Sequence, residues 1–199
     1  MSTLKLGCSC GQIQGLANNV SPKKGNHLVC YCDDCQTFAH QLNQASSTLN
    51  NYGGTEIYQL PPSHIRIRAG ADQLACLRLT AKGLHRWYAG CCNTPIGNTV
   101  SARIPFVGLI HTFIQEDKLN EKIGPVLGSV HKKFAVKPIP DACLGPASQA
   151  QLVRRVMGKL LIWKLTRQSQ PNPFFDPQGI SVSQSTIVAK EHEPKEPQQ

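Results

Sequence analysis

Seven of the nine cysteines fall into three tight clusters, Cys8-Ser9-Cys10, Cys30-Tyr31-Cys32-Asp33-Asp34-Cys35 and Cys91-Cys92. This spacing constrains the fold more than any other feature. Thiols one to three positions apart converge on one ion without straining the backbone, and zinc takes about four such ligands at about 2.3 Å. A disulfide framework is the competing use of so many cysteines. No apolar run approaches the roughly 20 residues of a membrane helix, and the N-terminal segment lacks the apolar stretch of a signal peptide. The chain is therefore expected in the cytoplasm, where disulfides are rare and clustered cysteines point first to metal.

The middle cluster offers three thiolates from one loop leading into a helix, whose N-terminal partial charge favours thiolate over thiol. Three ligands leave a position for another protein group, water or substrate. Three readings stay open from the spacing: a reactive zinc centre, purely structural zinc sites throughout, and an unmetallated redox cluster.

Short β-friendly runs alternate with glycine, proline and asparagine punctuation at 12–16, 27–31, 55–60, 64–69, 73–80, 86–89 and 106–114. They predict a mainly β fold of antiparallel strands over 1–140. One short helix is predicted directly after the middle cluster, starting at Asp33 or Asp34 and ending near Asn43. Another is predicted over 148–167, with Ser148 as its cap and Leu152, Val153, Val156, Met157, Leu160 and Leu161 recurring at offsets of three and four. It also carries Arg154, Arg155, Lys159, Lys164 and Arg167 and no acid. For this basic amphipathic helix, packing on the sheet, an acidic membrane surface and a nucleic acid or other acidic partner remain open. The stretch 168–199 is expected to be a disordered tail. A formal net charge of +9 permits an anionic partner without requiring one. The sequence contains no Gly-rich phosphate loop and no Gly-x-Ser-x-Gly elbow, which argues against P-loop and α/β-hydrolase chemistry.

Taken with their flanks, Cys8-Ser9-Cys10-Gly11-Gln12-Ile13, Cys30-Tyr31-Cys32-Asp33-Asp34-Cys35 and Cys92-Asn93-Thr94-Pro95-Ile96 resemble the glutathione-dependent formaldehyde-activating enzyme and centromere protein V family, over about residues 4–115. The family pattern is Cys-x-Cys-Gly-x-(Val/Ile), then Cys-His-Cys-x-x-Cys, then Cys-x-x-Cys-Gly-Thr-Pro-Leu. The resemblance implies a β-tent zinc-binding domain over 1–140 with one or two zinc ions. Cys8, Cys10 and Cys92 would hold a structural ion, and Cys30, Cys32 and Cys35 an active-site ion. It further implies a carbon–sulfur lyase acting on glutathione-type thiol adducts, or a non-catalytic zinc-stabilised scaffold. Three departures stand out. The first cysteine of the family's closing pair falls at Ala89, with Cys91 the nearby substitute; Tyr31 and Gln36 replace a histidine and a basic residue; Asn93 replaces a glycine.

For an enzyme, Tyr31, Asp34 and His40 are the candidates for proton transfer beside the middle cluster, His40 because imidazole titrates near neutrality. Arg86 either meets a substrate carboxylate or pairs with a neighbouring acid. Cys76, in an alternating run, is expected to be a small buried thiol, and Cys143 an isolated loop residue. The sequence sets no oligomeric state.

Overall fold

The computed structural model describes residues 2–188. Eleven strands carry most of the regular structure: β1 (Ser2–Gly7), β2 (Gln14–Val20), β3 (Asn26–Cys30), β4 (Thr55–Leu60), β5 (Ile65–Ala69), β6 (Leu74–Arg78), β7 (His85–Ala89), β8 (Pro95–Thr99), β9 (Val107–Ile110), β10 (Ser129–Val130) and β11 (Ser185–Ile187). The helices are α1 (Asp33–Gln41), α2 (Ala45–Thr48), α3 (Leu119–Ile123) and α4 (Gln149–Leu165). The fold is thus mixed α/β with more strand than helix. No helix among the described residues is long and apolar enough to cross a membrane.

The strands form two sheets. β1, β2 and β5 make a three-stranded antiparallel sheet, and the larger sheet runs β10-β3-β4-β9-β8-β7-β6-β11. The expectation of antiparallel strands throughout is corrected at both edges of the large sheet, where β10 runs parallel to β3 and β11 parallel to β6. Both arrive late in the chain through long crossovers, the kind of connection that parallel pairing requires.

Alternation along the strands gives the large sheet two apolar faces. One face packs Tyr58, Leu60, Trp87 and Leu109 against Leu4, Leu6, Ala17 and Ile65 of the small sheet. The opposite face carries Leu28, Cys30, Ile57, Leu77 and Ile110, covered by Cys35, Phe38 and Leu42 at α1. His27 anchors β3 between them: its Nδ1 lies 2.7 Å from the Gly124 carbonyl and its Nε2 2.6 Å from Glu56 Oε1 on β4. Both nitrogens of this buried ring thus have an oxygen within hydrogen-bond distance, which fixes its orientation.

Helix α4 begins as read from the sequence. Ser148 Oγ accepts from the Gln151 N–H at 3.3 Å while Gln151 Oε1 accepts from the Ser148 N–H at 2.8 Å, a reciprocal capping box. Its buried side is narrow, with Leu152 and Trp163 inside and Arg155 donating to Asn26 Oδ1 and the Pro22 carbonyl. Val153, Met157, Leu161 and Leu165 remain exposed.

The expectation of a disordered tail over 168–199 is corrected for its first part. Phe174 and Phe175 are buried, their rings 4.9 and 5.7 Å from Trp87, and β11 then extends the large sheet. Two adjacent aromatics acting as a plug leave no periodic pattern to read. Residues 189–199 lie outside the described residues.

Two measurements check this account. Phe174→Ala is expected to cost about 3–5 kcal/mol in denaturant unfolding, as for a buried phenylalanine elsewhere, whereas an unchanged midpoint would mean that the plug does not seal the core. The His27 hydrogen bond holds the Glu56 carboxyl below its ordinary value of 4.5. Its contribution is complete above that value and lost as pH falls through the lower folded one. The stability gap between wild type and Glu56→Gln should therefore be full near about pH 6 and shrink below about pH 4.5; a pH-independent gap would contradict the pairing.

Candidate metal centres

The first centre joins the two sheets. After β1, the Cys8 N–H donates to the Ile13 carbonyl at 3.1 Å and the Gly11 N–H to the Cys8 carbonyl at 3.0 Å, a tight turn that needs Gly11 at φ +77°. Cys8 and Cys10 therefore project from one turn. The β7–β8 connection makes a similar turn: the Ala89 carbonyl accepts from the Cys92 and Asn93 N–H groups at 3.3 and 2.7 Å. Asn93 sits at φ +59°, a conformation that asparagine tolerates better than most residues and that explains how it stands in for glycine. Thr94 clamps the turns together by accepting from the Ser9 N–H and donating to Ser9 Oγ, each at 3.0 Å.

Within this frame Cys8 Sγ lies 3.5 Å from Cys10 and 3.8 Å from Cys91, Cys10 lies 3.3 Å from Cys91, and Cys91 lies 3.9 Å from Cys92. All four sulfurs lie within 4.8 Å of one another. A tetrahedral ion with about 2.3 Å bonds to sulfur sets its ligands about 3.8 Å apart, so the set matches a zinc site. Disulfides need sulfurs about 2 Å apart, and these cysteines are free. The Ala89 methyl is fully buried in the apolar core, and Cys91, two residues on, supplies the fourth sulfur.

The second centre lies on the other face of the large sheet. Cys30 ends β3, Cys32 is the N-cap of α1 and Cys35 sits in its first turn. Cys30 and Cys32 are 3.4 Å apart, and the three sulfurs fall within 4.8 Å of one another. Among the described residues this group contains three ligand atoms, one fewer than a closed zinc site.

Hydrogen bonding within the clusters shares protons unevenly. Donation from Cys30 and Cys32, backed by Arg86, holds the Cys35 thiol well below its ordinary value. Cys30, hydrogen-bonded to Cys32 and Cys35 and buried, is pushed up. Cys32 reaches about 11: its bond to Cys30 lowers it, but neighbouring Cys35 and burial outweigh that. In the other centre burial raises Cys92, while hydrogen bonds from Ser9 and Thr94 prevail and bring it down to about 5. A cation replaces such shared protons when it binds.

Beside the second centre, Arg86 on β7 is buried. Its Nη2 donates to Asp34 Oδ2 at 3.1 Å, its Nη1 lies 4.0 Å from Cys35 Sγ, and its guanidinium stands over the Phe38 ring. Of the two roles open to Arg86, pairing with an acid is the one seen. A cavity of about 430 Å³ opens off the three sulfurs and is also lined by Asp34, Arg86, Asn98 and His131. Gly108 keeps its floor low, since a Cβ there would lie 2.9 Å from Asn98 Oδ1.

Of the three candidates for proton transfer, the structure brings only Asp34 to this cavity. The Tyr31 side chain is fully buried and its hydroxyl accepts from Asn50 Nδ2 at 3.3 Å. His40 is exposed in the last turn of α1 and does not line the cavity. Gln36 braces the loop by donating to the Tyr31 and Phe134 carbonyls at 2.8 and 2.9 Å. Asn98, Gly108 and His131 escaped sequence reasoning, because each sits in a different segment with no local motif.

Fold and sites together define a β-rich protein with a four-thiol and a three-thiol cluster, each suited to a metal ion such as zinc. Residues 1–184 match the model of DUF6151, a family of unknown function, and the chain belongs to that family. The search of curated proteins gave no match.

Cys10 is exposed, so its thiol contributes little packing. Structural zinc supplies on the order of 10 kcal/mol in small domains. Cys10→Ser is therefore expected to lower the melting temperature sharply in zinc-loaded protein and to release one of two bound metal equivalents. Unchanged melting and metal content would contradict the assignment.

Proposed function

We propose that this chain is a zinc protein with a division of labour: Cys8, Cys10, Cys91 and Cys92 hold a structural ion, and Cys30, Cys32 and Cys35 hold an ion that accepts an external thiolate. The reaction class is carbon–sulfur bond cleavage on a thiol adduct. One observation carries the reading: the three-thiol cluster faces a cavity of about 430 Å³, while the four-thiol cluster is complete from protein sulfurs alone. The resemblance to the formaldehyde-activating family in motif order supports it.

Zinc, when bound, supplies a soft Lewis acid that stabilises sulfur as thiolate. Three thiolate ligands give that centre a net negative charge, which suits a thiol better than a hard oxygen. The protein's own groups do the rest. Arg86 holds Asp34 and faces Cys35, keeping α1 oriented over β3. Asp34, on the cavity wall, is the group positioned to take or return a proton at the adduct.

A second reading, a zinc-stabilised scaffold, is favoured by α4, whose exposed Val153, Met157, Leu161 and Leu165 stand among cationic residues and offer a face to an acidic partner.

Cobalt replacement distinguishes the two. In the catalytic reading the thiolate-to-cobalt charge-transfer band of the full chain shifts when 2-mercaptoethanol is added, and Cys32→Ser abolishes that response while the protein stays folded. A band indifferent to added thiol would favour the scaffold.

A further inference from the structure

We infer that the three-thiol centre serves a thiol bearing an apolar group, an aryl or alkyl thiol adduct, and discriminates against thiol peptides bearing carboxylates; this rests on the thiol-site reading above. The walls of the cavity carry the argument. Leu28 and Ile57 rise from the sheet face, Leu84 and Phe106 from the loops before β7 and β9, and Val130 and Phe134 from β10 and the turn after it. These six apolar side chains come from six separate segments and meet beside the sulfurs.

A peptide thiol such as glutathione brings two carboxylates and an ammonium. A carboxylate taken out of water needs a cation or several donors. Among the described residues lining the cavity, the only permanent cation is Arg86, which is 2% exposed and already engaged by Asp34 at 3.1 Å. Turning it toward a ligand would strip Asp34 of that partner and Cys35 of its nearest positive charge. Asp33 and Asp34 also line the cavity, so two carboxylates accompany its one guanidinium. His131, the remaining basic side chain, stands exposed at the rim and faces the solvent end of a ligand. Gly108 keeps the floor low and uncrowded, since a Cβ there would meet the Asn98 amide and an Ile57 methyl at 2.9–3.2 Å. The space fits a ring or short alkyl chain lying along Ile57 and Phe106. A free thiol of this kind, the cleavage product and the probe, would lose its S–H proton to solvent, and its thiolate would complete the ligands of an ion held by Cys30, Cys32 and Cys35.

Burying a ring-sized apolar surface is worth about tenfold or more in affinity. The test titrates the cobalt-loaded full chain with 2-phenylethanethiol, 2-mercaptoethanol and glutathione, following the thiolate-to-cobalt band. Phenylethanethiol is expected to bind about tenfold or more tightly than 2-mercaptoethanol, with glutathione weakest. Phe134→Ala and Leu84→Gln lie on half-buried positions outside the strands, and should weaken phenylethanethiol several-fold while leaving 2-mercaptoethanol and the melting temperature unchanged. Glutathione binding as tightly as phenylethanethiol would overturn this specificity and leave the thiol site standing. Phenylethanethiol affinity untouched by both variants would also overturn it. A band that no thiol moves would overturn the specificity and the thiol site together.

Discussion

Sulfur crowding is the constraint on which the architecture depends. Thiol groups 3.3 to 3.9 Å apart, drawn from turns more than 80 residues apart in the chain, are brought together by paired turns and a shared threonine clamp. Such closeness suits neither disulfides nor free thiolates, which repel; it suits a cation. The four-thiol centre lies where β1 leaves the small sheet and where β7 turns into β8 in the large one. An ion held there would fasten the two layers at the edge of their common apolar core, and its binding energy would become folding energy.

The three-thiol centre uses the opposite face of the same large sheet. Register across β3, β4, β9, β8 and β7 brings Leu28, Ile57, Gly108, Asn98 and Arg86 onto one side. Helix α1 then supplies Cys32 and Cys35 at its start. The rigid sheet fixes one sulfur and the cavity floor, the helix fixes the other two sulfurs, and Arg86 ties helix to sheet through Asp34. The two clusters lie on different faces of the sheet, so in the proposed division of labour one would hold the fold while the other meets a ligand.

Much of this was legible in the sequence where the signal is local. Strand β4 spans Thr55–Leu60 as read from its alternation, α1 begins at Asp33 but with Cys32 rather than an aspartate as its N-cap, and α4 begins at its expected cap, Ser148. Spacing marked the three cysteine clusters, because ligand convergence within a turn is a short-range property, whereas the joining of the first cluster to the last, more than 80 residues on, was implied only by the family resemblance. Long-range features were not legible. Strand β8, Pro-Ile-Gly-Asn-Thr, looks like a turn, yet both neighbours hydrogen-bond to it and override its weak propensity. The burial of Phe174 and Phe175 depends on Trp87, far back in the chain. Tyr31 stood between two candidate ligands and looked reactive, but just past the end of β3 its side chain is buried and its hydroxyl meets Asn50. The cavity walls come from scattered segments, so no motif announces them.

The central claim is that one metal centre is closed by protein sulfur and the other is completed by an external thiol. Zinc-edge X-ray absorption on fully loaded protein measures this directly, because it counts sulfur neighbours at about 2.3 Å. Without added thiol, the account predicts two zinc ions per chain with an average of about three and a half sulfurs each, the remainder being a lighter atom. The average rises to four when a binding thiol is added. An average of four before any thiol is supplied, or a single zinc ion per chain, would contradict it.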